Sequence, residues 1–108
     1  MVLDFSQVIS REIAEELFAE GALEKSLLFP GEFGGEDRPE NQVYLPLGIG
    51  NLKNESTETI ASWVDDGLIE HLTVTPEYRG KSVVPCRIHL TGTHPDRLGS
   101  LGYTIEIW

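Results

Sequence analysis

Apolar residues recur at helical spacing near the start of the chain, at Ile9, Ile13 and Leu17, while the opposite side is acidic. This spacing predicts an amphipathic helix. Ser6 is the expected N-cap, and Gly21 is expected to end the helix as a left-handed residue. Alternatively, residues 22–25 could extend the helix after a break, and the sequence leaves this open.

Further along the chain, apolar and polar residues alternate with a period of two residues, which is typical of strands. Alternation over residues 43–49 predicts a strand with one buried face, and Pro46 indicates that this strand lies near a sheet edge. Further strands are expected over residues 69–75, 83–91 and 103–108. Because turn-forming residues separate these last three strands, we expect them to form an antiparallel meander.

A second helix is predicted between the strands. Ser56 is the expected cap of a short helix over residues 57–66, with Ile60 and Trp63 facing inward and Gly67 ending it. The chain of 108 residues is long enough for one modest core. The sequence therefore predicts a single α+β domain over residues 1–108, in which an antiparallel sheet of about four strands is covered by the N-terminal helix and the second short helix.

The charge of the chain is strongly asymmetric. Its net charge is −10, from 18 acidic and 8 basic side chains, and residues 1–70 hold fifteen of the acids but only four of the bases. Such an acidic surface favours encounter with a basic protein partner. It disfavours direct binding of nucleic acid, which needs clustered lysine and arginine. The alternative interpretation is that the charge only keeps the protein in solution.

Residues 30–41 are rich in glycine, proline and acidic residues and predict a loop, whose length of about a dozen residues is typical of functional loops. Carboxylates of this loop and of the first helix are expected to form one acidic surface, with Phe33 and Tyr44 as aromatic anchors beside it. The predicted partner-binding residues are Glu12, Glu16, Glu32, Phe33, Glu36, Asp37, Glu40 and Tyr44.

Other chemistry has weaker support. Cys86, His89 and His94 are suitable metal ligands, but Cys86 and His89 would point to opposite faces of a strand, so no metal site is predicted. The chain has none of the usual nucleophile motifs, and no cofactor is expected. The single cysteine and the lack of a signal-like or membrane-spanning apolar segment favour a cytoplasmic protein.

One segment suggests an enzyme. The chain reads Val74-Thr75-Pro76-Glu77-Tyr78-Arg79-Gly80-Lys81. This run resembles the fourth strand and pyrophosphate loop of the GCN5-related N-acetyltransferases, and the resemblance implies a turn at Arg79–Lys81 that binds the pyrophosphate of acetyl-coenzyme A at a helix N-terminus. The sequence departs from that family at Ser82, where a glycine is usual, and at residues 83–85, which predict an extended segment instead of a helix.

The sequence thus predicts a small acidic protein-binding module of the immunity or inhibitor type that engages a basic protein through its acidic helix and loop, and it favours a protein that is not an enzyme. One alternative is a small enzyme that uses Arg79–Lys81 as an anion-binding turn. Another is a homodimer joined along the strand that bears Pro46 or along the last strand, since the terminal Trp108 is expected to be packed against other residues.

Overall fold

The computed structural model describes residues 4–108, which form a single α+β domain and confirm the predicted fold class. Its two sheets are both antiparallel, one with two strands and one with three. The elements in chain order are α1 (Arg11–Ala19), β1 (Leu23–Leu27), β2 (Gln42–Pro46), α2 (Ile49–Asp65), β3 (His71–Tyr78), β4 (Pro85–Thr93) and β5 (Leu101–Glu106).

Helix α1 begins later than the sequence predicted, because its N-cap is Ser10 and not Ser6. The Ser10 hydroxyl accepts a hydrogen bond of 3.2 Å from the Ile13 N–H. Ser6 instead lies in a turn, where its own N–H donates to the Asp4 carboxylate at 2.9 Å. Gly21 has a φ of 79°, so the predicted left-handed end of this helix is confirmed.

Strand β1 is the element that the sequence did not reveal. It pairs antiparallel with β2, with Leu23 opposite Pro46 and Leu27 opposite Gln42. The segment Leu-Glu-Lys-Ser-Leu has three polar residues in its middle, and its alternation is too short to distinguish a strand from the end of a helix. The pairing with β2 therefore decides its conformation, which raises the strand number to five and divides the strands between two sheets.

Helix α2 begins at Ile49, well before the predicted start at residue 57, and Gly48 is its N-cap. Ser56 is therefore not a cap: its hydroxyl donates to the Leu52 carbonyl inside the helix at 2.9 Å. The predicted strand over residues 43–49 is correspondingly shorter and ends at Pro46. Gly67 has a φ of 71° just after the helix, as predicted.

The predicted meander is confirmed, in the order β3-β4-β5. The central strand β4 alternates as expected, because Cys86, Ile88 and Leu90 are buried while Arg87 and His89 lie on the opposite, partly exposed face. Two buried clusters form the core. The larger cluster joins β2, α2 and the meander and consists of Val43, Leu45, Ile60, Ile69, Ile88, Leu90, Ile105 and Ile107. The smaller cluster joins α1 to the antiparallel pair β1–β2, called the hairpin below, and consists of Val8, Ala14, Leu23, Tyr44 and Val84.

Candidate functional site

Carboxylates without ion pairs dominate the surface of the first 70 residues. All fifteen acidic side chains in this part of the chain are exposed except Glu24, which is half-buried. Within residues 4–108, only Glu15, Glu36 and Glu70 among them lie within 4.0 Å of a cationic or histidine nitrogen. The negative charge read from the sequence is therefore not neutralised by neighbouring side chains in the folded protein.

The four basic residues of the same region have other contacts. Lys25 pairs with Glu15 at 2.7 Å, and Arg38 pairs with Glu36. Arg11 donates to neutral oxygens, and Lys53 is buried in helix α2. Apart from Lys53, whose charge acts on Glu32 through space, none of them is placed to offset the carboxylates that line the rest of this surface, so the local field stays negative.

Both helices carry acidic residues where these residues lower helix stability. Glu12 and Glu16 on α1 and its C-cap residue Glu20 follow one another at four-residue spacing, a like-charge arrangement that costs about 0.2–0.5 kcal/mol per pair. Neither helix has a basic residue in its last turn, and Asp65 and Asp66 occupy the end of α2, where the helix dipole is also negative. The helices thus hold this charge against their own electrostatic preference.

Arg11 fastens the long loop to the start of α1. Its guanidinium donates to the Pro39 carbonyl at 3.2 Å and to the Gln42 side-chain oxygen at 2.9 Å. The Gln42 amide in turn donates to the Asp37 carboxylate at 2.8 Å. This chain of hydrogen bonds links Arg11, at the start of α1, to Asp37 in the loop.

The loop itself is ordered by the side chain of Asn41. Its amide oxygen accepts from the Phe29 N–H at 2.7 Å, and its amide nitrogen donates to the carbonyls of Phe29 and Glu36, both at 3.0 Å. Two short 3₁₀ turns, Gly31–Phe33 and Pro39–Asn41, account for half of the loop. The loop carboxylates therefore project from a backbone with defined hydrogen bonds.

Six of the eight predicted site residues are exposed carboxylates: Glu12, Glu16, Glu32, Glu36, Asp37 and Glu40. Phe33 is half-buried and packs against the larger core cluster. Tyr44 is only 2% exposed, and its hydroxyl donates to Glu15. Since a side chain so buried does not reach a partner's surface, we assign Tyr44 to the core beneath the acidic surface and not to the contact set.

Tyr44 is also the centre of the junction between α1 and the hairpin. The charged groups of Arg11 and Lys25 each lie 5.3 Å from the centre of its ring. The hydrogen bond from Lys25, followed by that from Tyr44, lowers the pKa of Glu15. The same contact with Glu15 raises the pKa of Lys25. Glu15 thus differs from the other α1 carboxylates, because it binds the helix to the hairpin.

The stability contributed by Glu15 is expected to depend on pH. Because folding lowers the pKa of this carboxyl, its contribution is complete above the unfolded value of about 4.3 and is lost as the pH falls through the folded value. The free energies of unfolding of the wild type and of Glu15→Gln, measured with urea, should therefore differ most near neutral pH and become similar in acid. In a Lys25→Met background, most of this pH-dependent difference should disappear, and an unchanged difference would contradict the assignment.

The turn at Arg79–Lys81 does not have the surroundings that the acetyltransferase resemblance implies. Residues 81–84 form a turn and bend, and the chain then enters β4 at Pro85, so a strand follows where that family has a helix. The guanidinium carbon of Arg79 lies 5.3 Å from the centre of the Trp108 ring. Arg79 is thus engaged by an aromatic side chain of the same chain.

Residues 4–108 contain no group of three or more histidine, cysteine, aspartate or glutamate side chains that could hold a metal ion. In the same part of the chain, no helix has both the length and the apolar composition needed to cross a membrane.

The buried position of Lys53 was not predicted from the sequence. This residue is 4% exposed and lies on the inner face of α2, at helical spacing from the buried Ser56, Thr57 and Ile60. The signal was present in that spacing. It was lost because the predicted helix began only at residue 57.

The fold and the acidic surface together define a small α+β domain of two helices and two antiparallel sheets, with an excess of negative charge on α1 and the loop at residues 30–41. No protein-family model matches the sequence, and comparisons with curated proteins and with solved structures give no match either. The functional argument therefore depends on the residues of this chain alone.

Proposed function

We propose that the protein is a small acidic binding module, of the immunity or inhibitor type and cytoplasmic, that engages a basic protein through α1 and the loop at residues 30–41. The observation that carries this proposal is the large number of exposed carboxylates without an ion pair in residues 4–70. Glu16 and Glu20 lie at the C-terminal end of α1, where carboxylates lower helix stability, and a charge that only improved solubility would not need to accumulate there.

The arrangement of the surface supports the same proposal. Arg11 and Asn41 hold the loop in place through hydrogen bonds to carbonyl and amide groups, so neither of them occupies a loop carboxylate. A loop that is ordered before binding loses less conformational entropy when the complex forms. Exposed carboxylates at the rim of such a contact accelerate association and make it sensitive to salt.

The experiment compares two variants with equal charge. The surface variant carries Glu12→Gln, Glu16→Gln, Asp37→Asn and Glu40→Gln, and the control carries Glu55→Gln, Glu58→Gln, Asp65→Asn and Asp66→Asn on α2. Proteins captured from the source cell's lysate on the immobilised wild type are identified by mass spectrometry. The most abundant basic protein is then purified, and its Kd is measured with each variant.

We expect the surface variant to bind about tenfold more weakly or worse, while the α2 control stays near the wild type. The wild-type complex should also weaken between roughly 0.1 M and 1 M salt, as the Debye length falls from about 10 Å to about 3 Å. Equal losses in both variants would mean that only net charge matters. Retention of no basic protein would indicate that the acidity is solubilising, and either result would overturn the proposal.

A further inference from the structure

A small polar cavity lies between the hairpin, the loop and helix α2, away from the outer carboxylates of α1. Its volume is about 240 Å³, below the roughly 300–1,000 Å³ typical of sites for drug-sized ligands. The polar side chains that line it come from β1, the loop and α2: Ser26, Glu32, Lys53, Asn54 and Thr57. The cavity is therefore suited to a ligand of only a few non-hydrogen atoms.

Lys53 is the unusual member of this lining. The residue is 4% exposed, yet among residues 4–108 its ammonium has neither a hydrogen-bond acceptor nor a carboxylate within 4.0 Å. No side-chain nitrogen or oxygen in that part of the chain is sealed from solvent without a partner, so the ammonium keeps some contact with solvent, and Lys53 is one of the residues that line the cavity. Buried lysines are normally paired, so a lysine without a protein partner beside a cavity makes that cavity a candidate ligand site.

Glu32 supplies a charge of the opposite sign. Burial lowers the pKa of Lys53, and the negative charge of Glu32 raises it again in part, so the two groups interact through space. They are not in direct contact, because no Lys53 nitrogen lies within 4.0 Å of a Glu32 oxygen. A cation and an anion thus line one cavity with a gap between them.

We propose that this cavity binds a small zwitterion that carries both a carboxylate and an ammonium group, such as a simple amino acid. The carboxylate accepts a hydrogen bond from the Lys53 ammonium, and the ligand's ammonium donates to Glu32. A plain anion would satisfy Lys53 but be repelled by Glu32 and by the overall charge of −10. A zwitterion has no net charge, so it satisfies both groups without opposing the field of the protein. This site does not depend on the proposed protein partner.

The test uses ligands with different spacing between their charges. Glycine, β-alanine and γ-aminobutyrate are titrated into the isotopically labelled protein, with acetate and methylammonium as ligands that each carry only one of the two charges. Two-dimensional NMR reports Kd values and the residues that respond. We expect saturable binding of at least one zwitterion, tighter than acetate, with the largest shifts at Lys53, Asn54 and the backbone of Glu32.

Three variants distinguish the site from general effects. Lys53→Met keeps the length of the side chain and should weaken binding about tenfold or more. Glu32→Gln should reduce the zwitterion's affinity to that of acetate, whereas Glu20→Gln, which changes the net charge equally outside the cavity, should leave it unchanged. The proposal fails if no zwitterion saturates, if acetate binds as tightly, or if Lys53→Met binds normally while its spectrum remains folded. Because no protein partner is present, these results are independent of the partner-binding test.

Discussion

Replacing Trp108 with alanine is expected to lower the free energy of unfolding by about 3 kcal/mol, at the lower end of the range for buried tryptophans because the side chain is only half-buried. This is a large loss for a small domain, whose total stability is about 5–15 kcal/mol. The terminal residue would thus contribute as much as a residue in the centre of the core.

The reason is that Trp108 joins the two core clusters, since it packs against both of them. Its ring meets Phe5 edge to face, with centroids 5.8 Å apart, and Arg79 lies over it. Its indole N–H donates to the Val84 carbonyl at 3.0 Å. Removing the side chain therefore leaves a cavity between the clusters, and the Val84 carbonyl keeps only the longer hydrogen bond of 3.5 Å from the Ser82 hydroxyl.

Urea unfolding monitored by circular dichroism measures the loss. Trp108→Phe, which keeps an aromatic ring but loses the N–H donor, should cost about 1 kcal/mol for the lost hydrogen bond in addition to a small packing loss. Arg79→Gln should cost under about 1 kcal/mol, since a partly exposed cation over a ring contributes little. If Trp108→Ala were no less stable than Trp108→Phe, the ring would not be joining the clusters.

The meander could be predicted from the sequence because its alternation is long and its turns are marked by glycine and proline. The buried set on β4, with Cys86 among it, follows from a period of two over nine residues. The ends of the helices at Gly21 and Gly67 were also predictable, since left-handed residues after a helix favour glycine. In each case a local preference and the tertiary structure agree.

The errors arose where local patterns fit more than one element. Ser6, Ser10 and Ser56 are all plausible caps, and only Ser10 accepts a hydrogen bond from the first turn of a helix. The apolar residues Leu47 and Ile49 continue the alternation of β2, although Ile49 already belongs to α2. Strand β1 has little preference of its own and is fixed by pairing with β2, a contact that composition does not reveal.

The charge of the candidate surface could be predicted from the sequence, but the contacts between its residues could not. Exposure of the loop and helix carboxylates follows from their polarity. Tyr44 was expected beside them because it follows the loop, yet it lies on the buried face and bonds to Glu15. The contact between Arg11 and the loop joins residues 28 positions apart in sequence, and such pairings become visible only in the fold.

The second large effect is expected at Asn41, whose replacement with alanine should lower the free energy of unfolding by about 2–3 kcal/mol. The variant loses all three side-chain hydrogen bonds that close the loop, each contributing about 1 kcal/mol net. It also leaves the N–H and C=O of Phe29 without these partners. Asn51→Ala is the matched control, since Asn51 is exposed at the start of α2 and its change should stay within about 0.5 kcal/mol.

Hydrogen exchange followed by NMR locates the Asn41 effect within the fold. In Asn41→Ala, the Phe29 amide should exchange much faster, while the amides of the β4 centre should exchange only as fast as the reduced global stability requires. If the proposed basic partner binds this surface, the same variant should bind it more weakly, although it keeps every carboxylate, because the loop that carries Glu36, Asp37 and Glu40 is no longer ordered before binding. A loop that stays protected in Asn41→Ala would show that its 3₁₀ turns and the backbone hydrogen bond of 3.0 Å from the Gly35 N–H to the Pro30 carbonyl hold it without this side chain.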